Sequence, residues 1–124
     1  MTVFSVAHKG IRLKVTLLRN VAEVDARYRD GRMHRAGELI HAFFQPTISP
    51  VAQHQGTIVL PLDGSLDELV PHEVAHAVIH CMRGVSANDD ECAATAIGVL
   101  SAKIFNEVRK PSHQRNITMK GIAP

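Results

Sequence analysis

A chain of 124 residues holds one domain with a real core and leaves little room for a second. It is 45% hydrophobic, 21% charged and only 4% aromatic, with no Trp, so its core must come from Val, Ile, Leu and Ala. A net charge of +2 is too small to mark a nucleic-acid or membrane surface by itself, and no segment approaches the length of a membrane span.

Residues 3–7 and 11–18 are β-prone runs rich in Val, Ile and Leu, with Lys9-Gly10 between them as a hairpin turn. Ile11-Arg12-Leu13-Lys14-Val15 alternates, which predicts one buried and one wet face. Asn20 is placed to cap a helix over residues 21–29, where Val21, Val24 and Tyr28 recur at helical spacing and Asp30-Gly31 stops it. Arg27, Arg29, Arg32 and Arg35 form the densest basic run. It reads as a solvated helix or turn, with a phosphate-binding patch as the alternative and nucleic acid not expected as a partner. Residues 39–45 read as a strand, 46–55 as a loop and 57–60 as a strand closed by Pro61 and Asp63-Gly64.

Residues 66–82 read as an amphipathic helix whose apolar side is Leu69, Val70, Val74, Ala77, Val78 and Cys81. Ser65-Leu66-Asp67-Glu68 has the form of a capping box, and Gly84 is placed to end the helix. The alternative is that Pro71, inside this span, splits off residues 65–70 as a separate turn and starts the motif helix at its own first turn; the motif is helical either way. After a loop over 85–89, Ser86 or Asn88 caps a second long helix reaching about Arg109, and Pro111 ends it. The order predicts an α+β domain over 1–110, with a small mixed or antiparallel sheet against helices, and a mobile tail over 111–124. Cys81 and Cys92 flank the loop after the first long helix. No secretory signal is visible, so free thiols and a cytoplasmic location are expected.

The motif that carries chemistry is His72-Glu73-Val74-Ala75-His76. Two histidines four residues apart stand one helical turn above each other, so both imidazoles can reach one metal ion. Glu73 projects beside them and can take a proton from a water there, which is the minimal apparatus of a zinc hydrolase. A catalytic zinc takes a third protein ligand. Glu91, in the first turn of the returning helix, is the candidate, with Asp90 and Asp89 as nearby alternatives. His80 is read as a hydrogen-bonding neighbour, while Tyr28, His80 and His113 are the candidates for stabilising an oxyanion. His8, His34, His41 and His54 have no spacing that suggests chemistry and are expected at or near the surface.

The run from His72 to His80, followed by Asp90-Glu91-Cys92-Ala93 and the apolar segment to Leu100, resembles the ImmA/IrrE family of zinc metallopeptidases. Ala75 stands where that family commonly has Gly, and Cys92-Ala93 where it tends to have Ala-Asn. The resemblance covers about residues 57–100. It implies a minimal gluzincin-like zincin domain, with His72, His76 and Glu91 on Zn2+ and Glu73 as base. It further implies a protein or peptide substrate of the repressor-regulator kind. In zincins an edge strand above the site pairs with an extended substrate, and residues 57–60 are the expected edge strand. The competing expectation is a zinc-containing binding or regulatory module without proteolytic activity, against which the intact Glu73 argues.

Overall fold

The computed structural model describes residues 2–30, 38–49, 51–83 and 90–110. Seven elements follow one another: β1 (Thr2–His8), β2 (Ile11–Leu18), α1 (Val21–Arg29), β3 (Phe43–Pro46), β4 (Gly56–Pro61), α2 (Leu66–Cys81) and α3 (Asp90–Val108). They form an α+β fold with a mixed sheet in the order β1-β2-β4-β3. Lys9 and Gly10 both take positive φ in the β1–β2 turn, the backbone a tight antiparallel hairpin needs. β2 and β4 are parallel, and β3 is antiparallel to β4.

The register explains the two faces. Phe4, Val15, Ile58 and Phe44 line up across all four strands on one face. With Val6, Leu13, Leu17 and Leu60 they pack against Val70, Val74, Ala77 and Val78 of α2 and against Ala96, Leu100 and Ile104 of α3. The other face carries Val3, Thr16, Val59 and Phe43 in one row and Ser5, Lys14, Thr57 and Gln45 in the next. Here α1 covers only one end, where Val24 packs with Leu18, Phe43 and Val59. Asn20 caps α1 as expected, its side chain accepting from the Glu23 amide at 2.9 Å.

Three expectations need correction. Ser65 does not cap α2 through its side chain; its carbonyl accepts from the amides of Glu68 and Leu69 instead. The single helix expected over residues 66–82 is present as α2 and runs unsplit through Pro71. Its missing N–H removes a donor from the Asp67 carbonyl, at an exposed turn where water can replace it. The third strand starts at Phe43, not at residue 39, because the Ile40 amide donates to the Asp25 carboxylate at 2.9 Å. The strand over residues 57–60 is not an edge: β4 is paired on both sides, and the edge strand beside α2 is β3. The expected caps Ser86 and Asn88, the stop at Gly84 and the tail over 111–124 lie outside the described residues. No helix among the described residues is long and apolar enough to cross a membrane.

Candidate active site

α2 divides its sides by chemistry. Val70, Val74, Ala77 and Val78 are buried in the core, whereas His72 and His76 are exposed on the adjoining side. Helical spacing places His72 and His76 one turn apart, and the structure brings their Nε2 atoms to 3.1 Å. Their ring centroids are 4.8 Å apart with planes at 79°. Two nitrogens bound to one tetrahedral zinc at ~2.0–2.1 Å stand about 3.3–3.4 Å apart. The pair therefore fits a shared ion with a displacement of a few tenths of an ångström.

Glu73 follows His72 in the helix and is 5% exposed. Its Oε2 is 3.9 Å from His72 Nε2. Burial pushes the Glu73 carboxyl above the usual carboxylate range, while positive charge on His72 and His76 works in the opposite direction. Such a group is poised to exchange a proton with whatever occupies the space before the two imidazoles.

The three side chains open on a groove of about 430 Å³ whose opposite wall is Phe43, Phe44 and Pro46 of β3. Tyr28, His80 and Arg83 also line it. The Phe44 ring packs on His80 at 5.7 Å between centroids, and Tyr28 meets Phe43 edge-on at 5.3 Å. Behind this wall, Asp25 accepts from Arg29 at 2.6 Å and from the Ile40 amide, and Arg29 donates to the Glu38 carbonyl at 2.6 Å. This network holds the segment leading into β3 against α1. It also gives Arg29 of the basic run a structural role. Two of the expected oxyanion candidates, Tyr28 and His80, thus reach the groove, while His113 lies outside the described residues. Arg83 was not singled out in the sequence. It stands seven residues after His76, two residues beyond the end of α2, so helical spacing alone does not place it.

The structure does not bring Glu91 to the histidine pair. Glu91 is the second residue of α3 and lines a separate cavity of about 390 Å³ with His8, Gln55, Cys81 and Cys92. No group of three or more His, Cys, Asp or Glu side chains is close enough to hold a metal among the described residues. Asp90 opens α3 and is exposed, and Asp89 lies outside the described residues. Cys81 and Cys92 are not joined in a disulfide, and burial pushes the Cys81 thiol up. His41 is exposed, His8 is half-buried, and His54 Nε2 stands 2.9 Å from Ser5 Oγ. His34 and the arginines at 32 and 35 lie outside the described residues. No family model, curated protein or solved structure matches this chain.

Proposed function

We propose that this chain is a zinc-dependent metallopeptidase of the minimal zincin type, hydrolysing a peptide bond in a protein substrate. One observation carries the reading: two imidazole nitrogens 3.1 Å apart beside a buried carboxylate, at the wall of an open groove. Zinc, when bound, supplies polarisation of the scissile carbonyl and acidification of the attacking water. His72 and His76 would hold the ion through Nε2. Glu73 accepts the proton of the attacking water and delivers it to the leaving amine, so that the C–N bond breaks to a free acid and a free amine. Tyr28, His80 and Arg83 are the groove residues able to donate a hydrogen bond to the oxyanion.

Glu91 is carried as the third ligand on the family resemblance, and reaching the pair requires the start of α3 to move. The substrate strand is assigned to the edge of β3 that no strand pairs among the described residues. Thr47 donates to the Gln55 carbonyl at 3.0 Å, which continues the alternation along the strand. Phe43 and Gln45 then bond towards β4 and the backbone of Phe44 faces outwards. Pro46 also faces outwards, where its missing N–H breaks no ladder bond. A repressor-type regulator is the substrate class the resemblance supplies.

The second reading, a zinc-containing binding module without proteolysis, is favoured by the placement of Glu91 in the other cavity. Turnover by wild type and Glu73→Gln separates the two. Loss of cleavage in a zinc-loaded variant supports the hydrolase; equal cleavage removes Glu73 as the base; and a zinc-loaded wild type that cleaves no member of a peptide library supports the binding module.

A further inference from the structure

The four strands carry none of the chain's 12 Asp and Glu residues. On the face away from α2 and α3, the register places Ser5, Lys14, Thr57 and Gln45 in one row across the sheet. Arg27, in the last turn of α1, joins Lys14, Thr57 and Gln45 around a groove of about 420 Å³ with no acidic residue in its lining. Phe43 and Pro46 line both this groove and the one that holds His72 and His76. The two grooves therefore flank the same edge strand, one on each face.

We propose that Lys14 and Arg27 select an acidic side chain in a peptide paired along the outer edge of β3. This rests on the reading of the chain as a protein that takes a peptide substrate. Side chains of an added strand alternate between the two faces of the sheet. A residue opposite Phe44 points to the side of α2 and its histidines. A residue opposite Gln45 extends the Ser5–Lys14–Thr57–Gln45 row and points into the basic groove. With strands ~4.8 Å apart, the added strand lies about 14 Å from the Lys14 backbone. The Lys14 side chain and a glutamate reaching towards each other over Thr57 and Gln45 span most of that distance, so glutamate is favoured over aspartate. Phe43, the aromatic residue in the lining of this groove, is only 6% exposed and offers little ring surface for a base to stack on, which favours an acidic peptide over a single-stranded nucleic acid.

The test is fluorescence anisotropy with labelled short peptides of alternating Thr and Glu or alternating Thr and Gln. The protein is held in the Glu73→Gln background so that nothing is cleaved. The Glu peptide is expected to bind about tenfold tighter than the Gln peptide at low salt, with the advantage shrinking as salt rises. Lys14→Gln should remove most of the advantage, and Lys14→Gln with Arg27→Gln should remove it all, leaving affinity for the Gln peptide unchanged. Arg27 also complements the C-terminal end of α1, so the exposed Lys14→Gln change alone remains the test if the double variant folds poorly. Equal binding of the two peptides, no binding of either, or an advantage that survives in the double variant would overturn the proposal. Binding of inorganic phosphate to the groove without a preference between peptides would make it a small-anion site and overturn it too. Binding here needs neither zinc nor turnover. Loss of the charge preference with zinc retained overturns this proposal alone, and loss of zinc with the preference retained overturns the hydrolase alone.

Discussion

Glu73 sits where a carboxylate is costly. The other acids of α2, Asp67 and Glu68, are exposed in its first turn, where they favour the helix dipole. Glu73 is instead buried one turn further on, against two imidazoles. On the proposed reading, chemistry rather than stability accounts for an acidic side chain in that position. Glu73→Gln removes the charge and keeps the shape, so the melting temperature is expected to stay the same or rise and zinc to remain bound. Cleavage of a substrate should fall by roughly a hundred- to ten-thousand-fold, the contribution of a general base. A lower melting temperature with cleavage unchanged would make Glu73 structural. The third ligand is decided at the same scale. Glu91→Ala is expected to weaken zinc binding sharply and Asp90→Ala to leave it unchanged, as read by competition with a chelating dye. The reverse order would move the ligand to Asp90.

At the scale of elements, the site depends on β3 staying where it is. Gly56 lies under the Phe44 ring, and a Cβ there would run into that ring and come within 2.9 Å of the Gln45 carbonyl. Gly56→Ala must push β3 outwards and lift Phe44 from His80. The expected cost is about 1–3 kcal/mol, the usual penalty of overpacking, read as a lower midpoint in urea. A wild-type midpoint would mean that the wall of the groove yields freely. The same elements show what a sequence can carry. β2 and α1 were legible to the residue, because Ile11 to Val15 alternates and Asn20 supplies a specific cap. The start of β3 was not, because the Ile40 amide is claimed by Asp25 from another element. Nor was the identity of the edge strand. The β2–β4 pairing is parallel and joins residues about 43 apart in the chain, so no local pattern announces it.

Across the whole molecule, one sheet serves two surfaces. One face is closed by α2 and α3 over a core of branched aliphatics, and among the described residues the other is covered at one end by α1. The sequence foretold the histidine pair and its neighbouring acid, because helical spacing alone brings them together. It could not place Glu91, since a ligand on the next helix depends on how the chain turns between α2 and α3. Metal analysis of the purified chain, with His72→Ala/His76→Ala alongside, tests the central claim most directly. One zinc per wild-type chain and none in the double variant is the predicted result; a wild type without zinc, or a double variant that still carries a full equivalent, would contradict it.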